Sequence, residues 1–145
     1  MTTRRVQPGF TLIELVIVMA IIAILAGIAY PGYLYQLNQT RQADAQTALV
    51  EAAARMQEFY IDQPTPTYVG AALGPAGIYT NRSPAVGPIV YYNLAITNQT
   101  ATNFSLTATP NPGTPTANNV TYILNANGSR QHVPNGQTAA INGWP

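Results

Sequence analysis

The sequence predicts an α+β protein in which one long N-terminal helix packs on an antiparallel sheet of about four strands. Residues 10–30 are apolar with a single charge, and residues 33–62 continue with apolar side chains at three- and four-residue spacing, which is typical of a helix. Alternation of apolar and polar residues after position 89 predicts the sheet. We therefore divide the chain into a short leader (1–9), a helix (10–62) and a head (63–145).

The first half of the predicted helix is long enough to cross a membrane. Residues 10–30 number 21, and at about 1.5 Å per residue they span roughly 30 Å, the thickness of a hydrocarbon core. Glu14 is the one charged residue among them. Because an ionised acid inside a membrane is costly unless it has a partner, Glu14 is predicted to be functional.

The residues before this segment distinguish it from an ordinary signal. A secretory signal is cut after its apolar region, at small residues. Here the conspicuous junction, Gly9–Phe10, precedes the apolar run and follows a short polar stretch with Arg4 and Arg5. Hydropathy alone favours a signal peptide or a simple anchor, but the glycine junction and the position of Glu14 argue against both of these.

Residues 9–15, with the sequence GFTLIEL, and the continuation into Pro31 resemble the class III signal of type IV pilins and related pseudopilins. The resemblance implies cleavage between Gly9 and Phe10 by a prepilin peptidase, N-methylation of Phe10, and assembly through Phe10 and Glu14 into a filament. It also implies residence in the bacterial inner membrane before assembly, and then in an extracellular pilus on the cell surface. The implied partners are copies of the chain, other pilins and the pilus assembly machinery.

Gly27, Pro31 and Gly32 form a predicted weak point in the helix. Pro31 has no N–H for the carbonyl of Gly27, and both glycines lower helix propensity. One reading is an ordinary proline kink, which membrane helices tolerate. The other is a segment that stretches when the subunit leaves the bilayer, which the resemblance favours because this region loses helical structure in the fibres of related pilins.

Residues 33–62 form an amphipathic segment that carries the head. Arg41 is the exception in its apolar stripe, and Glu51 and Arg55 are predicted to pair at i,i+4. Prolines after Asp62 stop the helix. A loop, 63–88, then resembles the variable loop that follows the pilin helix. Strands are predicted over the ranges 90–97, 104–109, 120–125 and 130–133.

Composition excludes several kinds of site. Charged residues make up 8% of the chain, with no lysine and no cysteine. A disulfide and thiolate metal sites are therefore excluded. This differs from many type IV pilins, which close their C-terminal region with a disulfide. Asn118, Asn119 and Gly143 lie about where that pair is expected. The sequence shows no catalytic constellation, because His132 is the single histidine and has no acid near it. We expect no enzyme activity and no cofactor.

No Asp or Glu follows Asp62, so the head lacks the carboxylates that calcium prefers, and no metal site is predicted. This argues against a type II secretion pseudopilin, because the major pseudopilin binds calcium in its C-terminal part. Arg82, Arg130 and His132 are too sparse to predict DNA binding.

The predicted function is a structural subunit of a type IV pilus, serving adhesion, twitching motility or DNA uptake. The alternatives are a secretion pseudopilin and a membrane-anchored binding domain that does not polymerise. Trp144 is a candidate anchor for a tail that has no disulfide.

Overall fold

The computed structural model describes residues 9–145. The chain divides between Leu37 and Asn38 into two compact units, which we describe separately. Helix α1, Leu12–Asp62, contributes to both. The leader predicted over residues 1–9 lies outside the described residues except for Gly9.

In the first unit, the described residues after Thr11 are helical. Their large apolar side chains are exposed from Leu12, at 83%, to Tyr35, at 67%, and Leu37 at the end of the unit is half-buried. Pro31 lies inside the helix, which continues on both sides of it. This unit therefore presents apolar surface along the length that the sequence predicts to cross a membrane.

The second unit contains one antiparallel sheet of six strands, in which every strand pairs with the next along the chain. The strands are β1 (Arg82–Ser83), β2 (Tyr92–Thr97), β3 (Ser105–Pro110), β4 (Thr121–Asn125), β5 (Arg130–Val133) and β6 (Ile141–Asn142). The prediction of about four strands was low by two. The additional strands, β1 and β6, have two residues each and lie at the edges, and so short a strand shows no alternation in sequence.

The core lies between the sheet and residues 38–62 of α1, which we call the head part of the helix. The buried residues of α1 are mostly small, and their three- and four-residue spacing places them on one face. They are Ala45, Ala48, Leu49, Ala52 and Met56. Small side chains on the helix leave room for large ones from the sheet, and Tyr92 and Tyr122 are fully buried there.

The tyrosine hydroxyls of this core reach polar partners. The hydroxyl of Tyr122 donates to Oε1 of Gln42 at 2.7 Å, and the hydroxyl of Tyr68 donates to Oε1 of Gln57 at 2.9 Å. Within residues 9–145, no buried side-chain nitrogen or oxygen lacks a hydrogen-bond partner. The rings therefore add apolar area without leaving a polar group unsatisfied.

The segment predicted as loop 63–88 contains some regular structure. Besides β1, it has an isolated parallel bridge between Leu73 and Tyr79. Gly77 lies where the chain folds back on itself, and a Cβ at this position would lie 2.2 Å from the carbonyl oxygen of Ala72. Only glycine fits this close approach of two backbone segments.

Candidate assembly segment and head surface

The helix begins two residues after Phe10. Thr11 caps it, because its Oγ1 accepts a hydrogen bond from the backbone N–H of Glu14 at 3.3 Å. The carbonyl of Thr11 also accepts from the N–H of Leu15 at 3.3 Å. Thr11 and Glu14 have the spacing of a capping box, in which a glutamate at the third helical position stabilises the start of a helix.

Glu14 lies in the first turn of α1, where the positive end of the helix dipole favours a carboxylate. It is exposed and has no ion-pair partner among residues 9–145. Its neighbours on the helix are apolar and exposed, including Ile13 and Leu15. Residues 12–30 of α1, which we call the apolar rod, therefore carry one carboxylate among apolar side chains.

That rod is apolar enough to span a membrane by length and composition. Its most apolar 18-residue stretch has a mean hydropathy of 2.9, and none of that stretch is buried. Phe10, two residues before the helix begins, is 87% exposed. A surface of this kind is stable only against lipid or against other apolar chains.

Gly27, Pro31 and Gly32, the predicted weak point, are all helical and exposed. A Cβ at either glycine would meet no atom within 4 Å. Packing therefore does not require glycine at these two positions. The stretching of this segment on assembly stays a prediction.

Glu51 and Arg55, on the part of α1 that packs against the sheet, have other partners than the sequence predicts. The predicted Glu51–Arg55 pair is wrong, because Arg55 pairs with Glu58 at 2.7 Å. Glu51 instead accepts a hydrogen bond from the hydroxyl of Tyr79. Burial, followed by the bond to Glu51, raises the pKa of Tyr79 to about 12.

Arg41, the exception in the apolar stripe, lies over a ring of the head. Its guanidinium carbon is 4.2 Å from the centroid of Tyr91, a cation–π geometry. The helix therefore accommodates a charge at this position without burying it unpaired.

The cations of the sheet are also held by neighbours. The guanidinium of Arg82 donates to the carbonyls of Pro84 and Gly87. Arg130 lies 4.8 Å from the ring of Trp144, and Nδ1 of His132 is 2.7 Å from the carbonyl oxygen of Gly143. These groups do not form one continuous basic surface of the kind that tracks a phosphate backbone.

Trp144 fixes the tail. Its Nε1–H donates to the carbonyls of Ile123, at 3.1 Å, and Gln131, at 2.9 Å. Its ring meets Tyr122 edge to face, with centroids 5.9 Å apart. The C-terminal segment is thus held by packing and hydrogen bonds.

The part of the chain that the structure describes has no cluster of three or more His, Cys, Asp or Glu placed to hold a metal ion.

An exposed apolar helix with one acid in its first turn, continuing into a head of one antiparallel sheet, defines a protein of the pilin class. The sequence matches a family model described as a prokaryotic N-terminal methylation motif over residues 4–30. It matches a second model, described as "Type IV minor pilin ComP, DNA uptake sequence receptor", over residues 31–133. Since this second match covers well over half of the chain, the chain belongs to the type IV pilin family.

Individual relatives agree with this assignment. The fimbrial protein EcpC of Eikenella corrodens is 34% identical over 106 residues, which are 73% of this chain and 64% of that protein. The type IV major pilin protein PilA of Myxococcus xanthus is 42% identical over 55 residues, which are 38% of this chain and 25% of that protein. The chain thus matches less than two thirds of the length of either relative.

A crystal structure of the non-core minor pilin PilV of Neisseria meningitidis has the same fold. It superposes with a TM-score of 0.53 at 19% identity, covering 71% of this chain and 93% of that one. At this level of identity the likeness concerns the fold alone.

Proposed function

We propose that the chain is a structural subunit of a type IV pilus, cut between Gly9 and Phe10 and methylated at Phe10. Its apolar helix would hold it in the inner membrane until the assembly machinery transfers it to a surface filament of like subunits. The observation that carries this proposal is the exposed apolar segment 10–30, in which Glu14 is the one charged side chain. Membership of the type IV pilin family supports it.

Glu14 has a specific task in this proposal. Cleavage after Gly9 creates a positive amine on Phe10, four residues before Glu14. Either charge alone in the apolar core of a fibre would be costly, and pairing offsets much of that cost. An incoming subunit would therefore be favoured at the axial offset at which its amine meets a Glu14.

The competing explanation is local. Thr11 and Glu14 form the start of a capped helix, in which the acid stabilises the first turn by about 0.3–1 kcal/mol through the dipole. On this explanation, loss of the carboxylate weakens the helix slightly and leaves polymerisation intact.

The two explanations are separated by Glu14→Ala and Thr11→Ala, each expressed as the only pilin in the cell. Pairing predicts that Glu14→Ala is cut and stays in the membrane but yields few filaments, whereas Thr11→Ala, which removes only the cap, assembles normally. The measurement is the yield of sheared surface filaments. Normal yield from Glu14→Ala would refute the pairing.

Mass spectrometry of the same filaments tests processing. We expect an N-terminal peptide that begins at methylated Phe10, and we expect Gly9→Val to block cleavage because valine is too large for a tight protease site. An intact leader on filament protein, or normal cleavage of Gly9→Val, would contradict the proposed site.

We also propose that the segment containing Gly27, Pro31 and Gly32 loses helical hydrogen bonds on assembly. Pro31 already lacks one N–H, so fewer bonds hold this turn. Density maps of the filament would test this, since a continuous helix through Pro31 in the fibre is the opposing result.

A second candidate function is DNA capture, because the family model that matches the head is described as that of a DNA uptake sequence receptor. Arg82 and Arg130 are the exposed or half-buried cations of the strands, and each is already held by a neighbour. We therefore expect weak duplex binding, with few phosphates neutralised. Because each neutralised phosphate adds about 0.9 to the slope of log affinity against log salt, a slope steeper than about 4 would favour the receptor function.

A further inference from the structure

We infer that Asn135 is a site of spontaneous deamidation, at which the folded head converts an amide to a carboxylate. The sequence has three Asn–Gly steps, at Asn127, Asn135 and Asn142. Asparagine followed by glycine is the most reactive context for this chemistry, because glycine has no side chain to block the attacking nitrogen. The structure distinguishes the three steps from one another.

The reaction needs no reagent other than water. The backbone nitrogen of Gly136 loses its proton to solvent and attacks Cγ of Asn135. A C–N bond forms to close a five-membered succinimide, the bond from Cγ to the amide nitrogen breaks, and ammonia leaves with a proton. Water then opens the ring at either carbonyl, giving aspartate or isoaspartate at position 135.

The first structural difference concerns the attacking nitrogen. The N–H of Gly128 donates to the carbonyl of Asn125 at 2.9 Å, and the N–H of Gly143 donates to the carbonyl of Arg130 at 2.8 Å. The N–H of Gly136 has no acceptor among residues 9–145. A nitrogen that donates a hydrogen bond must give it up before it can be deprotonated and turn toward Cγ, so the step at Asn135 is the least hindered.

The second difference concerns the attacked carbonyl. Oδ1 of Asn127 accepts from the N–H of Ser129 at 2.9 Å, and Oδ1 of Asn142 accepts from Nε2 of Gln131 at 3.3 Å. The side chain of Asn135 is exposed and makes one long contact, from its Nδ2 to Oδ1 of Asn118 at 3.4 Å. Cγ of Asn127 is therefore the most restrained of the three, whereas Asn135 and Asn142 each have one long side-chain bond and differ in the attacking nitrogen.

The Asn135–Gly136 step lies in an exposed turn. The N–H of Gln137 donates to the carbonyl of Pro134 at 3.0 Å, and Gly136 has φ of +77°. This closes a four-residue turn around the Asn135–Gly136 step at the surface. Conversion would place an ionised carboxylate in a stretch that has no Asp or Glu after Asp62.

The test uses the full chain in detergent, incubated in mildly alkaline buffer and sampled over time. Trypsin cuts after Arg130, so Asn135 and Asn142 fall in one C-terminal peptide and Asn127 in the preceding one. Fragmentation of the C-terminal peptide assigns the mass gain to either asparagine. We expect conversion at Asn135 to be several-fold faster than at the other two sites in the folded protein.

Two controls make the result specific. In concentrated denaturant the three steps should convert at similar rates, because the fold no longer distinguishes them. Asn135→Gln should remove the early mass gain from the C-terminal peptide, since glutamine cyclises far more slowly. Equal rates at the three sites in the folded chain, or faster conversion at Asn127 or Asn142, would overturn the assignment whether or not the chain forms pili.

Discussion

The side-chain amides of Asn38 and Asn119 hydrogen-bond to each other in both directions, although the two residues are 81 positions apart. The two distances are 3.1 and 2.9 Å. Asn119 also donates to the hydroxyl of Tyr92 at 3.1 Å. One side chain thus joins helix α1, strand β2 and the segment before β4.

Replacing Asn119 should destabilise the head. Asn119→Ala removes the amide pair and leaves Asn38 and the Tyr92 hydroxyl without this partner, so the free energy of unfolding should fall by about 1–3 kcal/mol. Thermal unfolding of the full chain in detergent measures the change. Asn118→Ala is the matched control, because Asn118 is exposed and makes one long contact; an equal loss in both variants would show that the amide pair has no special weight.

Trp144 should prove a stabilising residue. Trp144→Ala removes the edge-to-face contact with Tyr122 and two backbone hydrogen bonds, and we expect a loss near the lower end of the range of about 3–5 kcal/mol, because the ring is only partly buried. Trp144→Phe keeps a ring without the N–H and should lose less. An unchanged melting temperature for Trp144→Ala would instead indicate an interface residue.

The buried tyrosines predict alkaline unfolding. Burial raises the pKa of Tyr92 from 10.0 to about 12 and also raises that of Tyr122. The pKa of Tyr92 is higher in the folded chain than in the unfolded chain. The contribution of the protonated Tyr92 to the free energy of unfolding is therefore fully present below about pH 10 and is lost as the pH rises from about 10 toward 12.

This pH effect can be measured by comparing the wild type with Tyr92→Phe. The variant lacks the hydrogen bond with Asn119 and should be less stable near neutral pH. Between about pH 10 and 12 its stability should fall less steeply than that of the wild type. Parallel stability curves for the two proteins would contradict a raised pKa of Tyr92.

Calcium should leave the stability of the head unchanged. The acids of the second unit are Asp44, Glu51, Glu58 and Asp62, all on α1, and two of them already have partners in Tyr79 and Arg55. Carbonyls and amides alone make a poor calcium site. We expect the same melting temperature with calcium and with a chelator, and a rise with calcium would restore the pseudopilin alternative.

The sequence predicted the regular part of the fold because its signals are local. Alternation around Leu94, Leu106 and Leu124 predicted the three longer strands, which the structure contains. The short edge strands β1 and β6 have no such pattern, and they form because a neighbouring strand offers hydrogen bonds. Local spacing also gave the wrong partner for Arg55, since the position of Tyr79 beside Glu51 depends on how a distant loop folds.

Some features of the candidate site could be predicted from the local sequence, and others depend on contacts between distant residues. Glu14 and the apolar rod were recognisable from the sequence, because they depend on residue type over a short stretch. The Asn38–Asn119 pair was not, because no local pattern connects residues 81 positions apart. Arg41 appeared as an exception in the helix pattern, and its place over Tyr91 depends on the packing of the sheet.

Trp144 is the single tryptophan of the chain, and it lies against Tyr122 and beneath the guanidinium of Arg130. Its fluorescence therefore reports one event, the docking of the C-terminal tail, with no other indole to obscure the signal. Excitation of the tyrosines should transfer energy to it while the tail is docked and lose that route when the tail detaches. The same optical measurement applies to subunits in detergent and to intact filaments, so the condition of the tail can be compared in both without adding a label.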